Sequence, residues 1–452
     1  MSNAGEIFAS FKGRKVLVTG NTGFKGAWFS TWLRELGSEV HGLSLGVPTE
    51  PSLFEDAGGE ANQTTSWVNV CDTDKVQEIL EAKKPDFIFH LAAQPIVGTS
   101  FADPLETWRT NTLGSASILE ALRRSSLTEV NVVMITSDKV YRNHEWPWGY
   151  RENDELGGHD PYSASKAGAE LAIRSYVNSG FFEDRNIKIA SVRAGNVIGG
   201  GDWAPGRVVP DAVRAWSENK PLVLRNPSAT RPWQHVLEPL GGYLLTAAAL
   251  DKNVLNSGES FNFGPSEQAS KTVGDLVVGL GSRLGGNPPL RVEYEESTLS
   301  ESGLLRLSSE KAQQILSWQP VLEFERNLDW TAQWYTQKSL GTDALALTLE
   351  QIRNYQHLVA PLLIGGKLES RIDRPCVCHG RGRRHSENNQ EKLRSLSRFW
   401  RVVLFANFLW CLPWVEDASR NGVFCLRFGR WCLIPLFRRL WCMLFGEHAP
   451  ST

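Results

Sequence analysis

Tyr162 and Lys166 stand four residues apart in the segment Asp-Pro-Tyr-Ser-Ala-Ser-Lys. If residues 163–166 open a helix, both side chains share one face. An ammonium beside a phenol favours phenolate. The spacing therefore predicts a tyrosine whose pKa falls from ~10 toward neutrality and which can take a hydroxyl proton. Upstream, Ser137, Asp138 and Lys139 follow the apolar run 132–135. The turn after a parallel strand is where α/β sites gather. Hydroxyl, carboxyl and amine in one turn can hydrogen-bond, donate a proton and accept one. A bare Tyr-x-x-x-Lys is common by chance, and Ser-Asp-Lys can equally be a helix cap in a solvated turn. The chemistry depends on the elements that position these groups.

Residues 15–19, Lys-Val-Leu-Val-Thr, read as a strand. Gly20-Asn-Thr-Gly-Phe-Lys-Gly26 follows, then an amphipathic helix over 27–36 ended by Gly37. Strand, glycine turn and helix together are the setting of a dinucleotide site: glycines let backbone approach a pyrophosphate, and the helix N-terminus favours its charge. A second strand over 39–45 ends on Ser44, Leu45 and Gly46. Neither an acid for the ribose hydroxyls nor an arginine for a 2′-phosphate stands there, so this signal leaves the choice between NAD and NADP poorly specified. A third strand over 67–70 precedes Asp72, which can touch an adenine or cap the helix over 73–82; the two are compatible. A fourth, 85–91, runs into Ala92 and Ala93, small enough for a flat cofactor to approach. A helix over 107–124 contains Asn111, a fifth strand over 130–135 delivers Ser137, and a sixth covers 187–193. This alternation predicts an α/β, Rossmann-like doubly wound parallel sheet. Helices over 239–250, 273–284, 309–316 and 324–336 read as a smaller C-terminal substrate-binding lobe.

The chain of 452 residues allows two or three domains, and its net charge of −2 gives no reason to expect a nucleic-acid partner. Of seven cysteines only Cys71 precedes Cys376. That suits a reducing, cytoplasmic setting without a disulfide framework. Residues 1–13 lack the apolar core of a secretory leader. His90, His144, His159 and His235 have no metal-ligand spacing, and no metal is expected.

The segments Thr19-Gly-x-x-Gly-x-x-Gly26, His90-Leu-Ala-Ala93 and Tyr162-x-x-x-Lys166 resemble the extended short-chain dehydrogenase/reductase superfamily. Gly23-Phe-Lys-Gly26, Thr136-Ser-Asp-Lys-Val-Tyr141, Gly199-Gly-Gly-Asp-Trp203 and Arg231-Pro-Trp-Gln-His-Val236 narrow the resemblance to the CDP-glucose 4,6-dehydratase family. It covers roughly residues 8–357. It implies an NAD-dependent hydro-lyase that converts CDP-glucose to CDP-4-keto-6-deoxyglucose and water by internal hydride transfer. It implies cofactor contacts at Gly20, Thr22, Gly23, Phe24, Lys25, Gly26, Asp72, Leu91, Ala92, Ala93, Asn111, Tyr162 and Lys166. Tyr162 would take the C4 hydroxyl proton, Ser137 would hydrogen-bond the C4 oxygen, and Asp138 would protonate the departing C6 hydroxyl. Lys139 stands where related dTDP-glucose dehydratases carry a glutamate and would be the C5 base, as a neutral amine made so by burial near Lys166. Family members commonly dimerise through two helices, one of them the Tyr-Lys helix, so a homodimer is expected. A nucleotide-sugar 4-epimerase would need the Tyr-Lys pair but not Asp138 and Lys139; a non-catalytic dinucleotide sensor would need none of the four.

Residues 8–190 thus read mainly as the NAD-binding domain and 191–357 mainly as the substrate lobe with interleaved Rossmann elements. In that lobe Arg207, Arg225 and Arg231 are candidates for a diphosphate, whose oxygens planar guanidinium groups bind in pairs. Asn196 resembles a family substrate contact. Trp203 and Trp233 could stack on a sugar or base, or be plain core. Residues 358–452 differ in character, with 13 Arg and 2 Lys against 7 acids. An interfacial membrane contact, a partner-binding appendage and an accidental extension are the three readings of this stretch. Arg, Cys and Trp rise together without a clear period, which favours the last.

Overall fold

The computed structural model describes residues 7–224, 226–265, 271–285, 291–295 and 304–365. Arg225 and nearly all of the Arg-, Trp- and Cys-rich tail lie outside the described residues. The strands of the central sheet are β1 (Lys15–Thr19), β2 (Glu39–Ser44), β3 (Thr64–Trp67), β4 (Phe87–His90), β5 (Glu129–Ile135), β6 (Asn186–Ala194) and β7 (Ser260–Phe263). They form one parallel sheet in the order β7-β6-β5-β4-β1-β2-β3. Alternate strand residues enter different cores. Val16, Val18, Phe87, Phe89, Val133 and Ile135 lie in one, and Leu17, Ile88, Val132 and Met134 in the other. That is the period of a strand buried on both faces, and it explains the near-continuous apolar runs in the sequence.

Helix α1 (Phe24–Glu35) covers the first face with Trp28, Phe29, Trp32 and Leu33. Helices α2 (Thr73–Lys83) and α3 (Gly114–Arg124) cover the second with Val76, Leu80, Ile118 and Leu122. Helix α4 (Pro161–Asn178) adds Ile173 to that face, and α5 (Leu237–Asp251) lies deep in the first core.

Several elements depart from the expected boundaries. The third strand is Thr64–Trp67 rather than 67–70: its polar residues pair His41 through Ser44 of β2, and the chain turns away at Asn69, whose carbonyl accepts from Asp72 N at 2.9 Å. The expected single helix over 107–124 is broken by a π-turn, Arg109–Leu113, between Pro104–Trp108 and α3. The second strand stops at Ser44, leaving Leu45 exposed. Strand β7 and the last helix, Ala344–Gly365, were not expected, and the helix runs past residue 357.

That last helix is tied to α5 by a buried carboxyl. Glu238 Oε1 accepts from the backbone N–H of Val321 at 2.8 Å and Leu322 at 2.6 Å, and Tyr355 Oη donates to Oε2 at 2.8 Å. Burial outweighs these bonds and pushes the Glu238 pKa up to about 7 from 4.5. The unfolded carboxyl ionises first, so this group favours the fold fully below pH 4.5. The benefit, on the order of 3 kcal/mol, is lost as pH rises to about 7. Glu238→Gln can keep all three bonds, and its melting temperature should lose this decline between pH 4.5 and 7. Melts across that range check it; an unchanged slope would assign the dependence to other groups.

Candidate active site

In the sheet order, β1 stands between β4 and β2, so the connections leave it in opposite directions at the β1/β4 boundary. Ligands of open α/β sheets bind at the carboxyl ends of strands at such a switch point. Gly20 ends β1 there, with φ of 73°; a Cβ on it would lie 2.8 Å from the backbone of Ala92, beyond β4. A Cβ on Gly26 would lie 2.0 Å from the Gly20 carbonyl. The turn therefore closes tightly under the first turn of α1, whose N-cap is Gly23. Leu91 N donates to Thr19 O and Ala92 N to Thr19 Oγ1, both at 3.1 Å, which fixes Leu91, Ala92 and Ala93 along the same edge. Thr22 Oγ1 donates to Gly46 O at 2.7 Å. This glycine cradle at a helix N-terminus fits a dinucleotide pyrophosphate.

Asp72 caps α2, accepting from Lys75 N at 3.2 Å. The π-turn turns Asn111 inward: its Oδ1 accepts from Gln94 N at 2.9 Å, and its Nδ2 donates to Ser165 Oγ at 2.9 Å on α4. Such single-turn bulges recur at functional sites. His90 lies between Thr19 Oγ1 at 2.8 Å and Ser115 Oγ at 3.1 Å. Burial, and then Lys166, hold its pKa at about 3, so the ring is neutral.

β5 ends in a short helical turn, Asp138–Val140, with Ser137 at its head. Ser137 Oγ donates to Asp138 Oδ1 at 2.9 Å and accepts from Lys139 N at 3.3 Å. Ser137 also faces Tyr162 closely enough to favour its ionised form. Asp160 caps α4 by accepting from Ser163 N at 2.9 Å, which sets Tyr162 in the first turn and Lys166 one turn on. The structure thus brings Ser137, Asp138, Tyr162 and Lys166 together, all buried. It corrects the expected acidity of Tyr162. Burial dominates and pushes the phenol up to about 12, with Ser137 and Arg207 pulling it down and Asp138 and Asp160 pushing it up. Burial pulls Lys166 down to about 8, against Glu170. Lys139 is only partly buried, against expectation, and its Nζ makes no hydrogen bond or ion pair among the described residues. Lys25 at the head of α1 is pulled down to about 7 by burial, Arg207 and Lys166, against Asp138 and Asp202.

Gly195 and Asn196 follow the end of β6. A Cβ on Gly195 would lie 3.4 Å from Asp138 Oδ2 and 2.9 Å from Pro232. Asn196 O accepts from Gln234 N at 3.1 Å, so this strand end sits against the turn. Arg207 pairs with the buried Asp202 at 3.0 Å and acts on both Lys25 and Tyr162. Arg231 is buried and donates to Thr230 O at 3.0 Å. Trp233 is core, its Nε1 donating to Lys271 O at 3.1 Å, and Trp203 packs edge-on against Tyr335 at 5.3 Å. Phe24 packs near Gly199.

Sequence reasoning did not single out Asn21, Glu170 or Arg193. Asn21 Oδ1 accepts from Ser44 Oγ at 2.7 Å and its Nδ2 donates to Thr65 Oγ1 at 3.0 Å. This uncharged trio lies beside the end of β2, where a ribose-binding acid was sought. The absence of a Cβ at Gly42, which would lie 2.2 Å from Asn21 Nδ2, was the available signal.

The family described as GDP-mannose 4,6 dehydratase matches residues 17–330. The CDP-glucose 4,6-dehydratase of Salmonella typhimurium is 41% identical over 349 residues, 76% of this chain and 97% of that protein. Among solved structures, the dTDP-glucose 4,6-dehydratase of Bacillus anthracis in complex with NAD superposes with a TM-score of 0.60 at 21% identity, over 74% of this chain and 99% of that one. The epimerase Mth375 of Methanothermobacter thermautotrophicus gives 0.64 at 22% identity, over 78% and 97%. At these identities the structures establish the fold.

Proposed function

We propose that this chain, which belongs to the family described as GDP-mannose 4,6 dehydratase, is an NAD-dependent dehydratase that converts CDP-glucose to CDP-4-keto-6-deoxyglucose and water. The likeness to the Salmonella enzyme over nearly its whole length carries the choice of sugar nucleotide. Gly20, Gly26 and the head of α1 would hold the pyrophosphate of NAD, which when bound would supply the hydride acceptor for C4 and the hydride donor for C6. Tyr162 takes the C4 hydroxyl proton, Ser137 hydrogen-bonds the C4 oxygen, and the Lys166 ammonium steadies the phenolate that begins the step. The resulting ketone acidifies C5. Lys139 takes the C5 proton, and Asp138 protonates the C6 hydroxyl as it leaves. The buried Asp138 Oδ2, without a hydrogen-bond partner among the described residues, supports that role. A proton returns to C5, and the net change is loss of water. Arg207 and Arg231 hold the diphosphate, and Asn196 contacts the sugar.

Incubating the chain with CDP-glucose and NAD should yield the 4-keto product. CDP-galactose in its place would identify a 4-epimerase, and stronger restoration by NADP would overturn the cofactor. The neutral trio of Asn21, Ser44 and Thr65, with no arginine at the end of β2 among the described residues, supports NAD.

We also infer a homodimer. Leu105, Trp108, Leu113 and Leu171 are exposed on Pro104–Trp108, the π-turn and α4, elements that pack on one another. An apolar patch of this kind marks an interface. Light scattering should return twice the monomer mass; a monomer at assay concentration would reject it. Among the described residues no helix is long and apolar enough to cross a membrane, and a cytoplasmic location accords with the chemistry.

A further inference from the structure

Glu170 and Arg193 are fully buried and paired. Arg193 Nε donates to Glu170 Oε1 at 2.8 Å and Nη2 to Oε2 at 2.9 Å. Thr136 Oγ1 donates to Oε1 at 2.6 Å and Ser191 Oγ to Oε2 at 3.0 Å, so the carboxylate receives four donors. The remaining Arg193 nitrogen, Nη1, donates to Tyr141 Oη at 2.6 Å and Glu152 O at 3.0 Å. Thr136 immediately precedes Ser137, Tyr141 immediately follows the Asp138–Val140 turn, and Glu170 lies one helical turn beyond Lys166. One network therefore grips both halves of the site.

A buried ion pair is weak support for stability alone, because desolvation offsets the attraction. Its placement has a second consequence. A buried amine without a counter-charge gives up its proton. The charged groups that face Lys166 are Glu170 on its own helix and Lys25 from α1; His90 faces it from β4 as a neutral ring. Glu170 is thus the carboxylate that opposes the effect of burial on Lys166. Burial opposes the ionisation of Glu170 too, but Arg193, Thr136 and Ser191 outweigh it and hold the carboxyl below its ordinary value.

We propose that Glu170 is a positioning residue that keeps the Lys166 side chain charged for the chemistry of Tyr162, and that Arg193 keeps Glu170 ionised and in place. The part played by Tyr162 rests on the function proposed above. The link between Glu170 and Lys166 does not.

Labelling the full chain with carbon-13 at the lysine ε-carbon, with Lys166→Arg to assign the resonance, reads the link by NMR. Lys166 is expected to titrate near 8 in the unaltered chain and about 1–3 pH units lower in Glu170→Gln. Glu170→Gln leaves Arg193 a buried cation without its partner. Where that costs the fold, Glu170→Gln combined with Arg193→Gln removes both charges and carries the same expectation. An unmoved midpoint in a folded variant overturns the inference. With NAD and CDP-glucose, the pH at which turnover stops rising should fall by the same amount. A midpoint that moves while that profile stays overturns it as well. A chain that does not convert CDP-glucose sinks the proposed substrate, while the titration still decides whether Glu170 keeps Lys166 charged.

Discussion

Replacing Tyr162 with Phe is expected to lower turnover of CDP-glucose by ~10²–10⁴-fold, the usual contribution of a positioned acid–base group. The variant keeps the ring in its buried first-turn position and loses only the ionisable oxygen. No reduced cofactor should form, because oxidation at C4 needs the hydroxyl proton removed. The pH profile carries the same claim. With the phenol at about 12 and Lys166 at about 8, turnover should rise with pH and level off near 8, where gain of phenolate is matched by loss of ammonium. Tyr162→Phe should lose that rise. Stopped-flow absorbance of the reduced cofactor measures the step. A Phe variant that reduces the cofactor within a few-fold of the unaltered rate would remove Tyr162 from the role of base.

The sheet was legible because its inner strands are buried on both faces, and such strands read as unbroken apolar runs. The glycine turn was legible because close backbone approach admits no other residue at Gly20 and Gly26. What escaped has physical reasons. β3 is Thr-Thr-Ser-Trp at the sheet edge, where one partner strand and partial exposure remove the apolar signal. The π-turn follows from Asn111 bonding Gln94 and Ser165, residues far along the chain, and no local pattern announces it. Glu170 and Arg193 look like solvent-facing charges until the fold buries them together.

Within the site, spacing placed Tyr162 and Lys166 on one helix face but not their acidities. The pair rule weighs charge alone, whereas burial acts on both groups and moves the phenol the other way. Lys139 departs for a different reason: burial was expected there, yet the side chain lies partly open.

Lys139→Ala therefore has the most to decide. If Tyr162 and Lys166 run oxidation and the Asp138-Lys139 turn runs elimination, the variant should still oxidise C4. Mixed with CDP-glucose it should accumulate bound reduced cofactor, visible by its near-ultraviolet absorbance, while product forms ~10²–10⁴-fold more slowly. Exchange of the C5 proton with deuterated solvent should fall in step, because the ketone acidifies C5 only to the advantage of a base within reach. The motive is position: Lys139 follows Asp138 directly, and its backbone N–H is fixed by Ser137 Oγ at 3.3 Å. Failure to form any reduced cofactor would place Lys139 in binding or oxidation. Exchange at the unaltered rate would remove it as the base. The next amine to test would then be Lys25, which Asp138 faces and which burial, Arg207 and Lys166 bring to about 7, neutral enough to accept a proton at ordinary pH. Lys25→Met would have to stop the exchange that Lys139→Ala left intact.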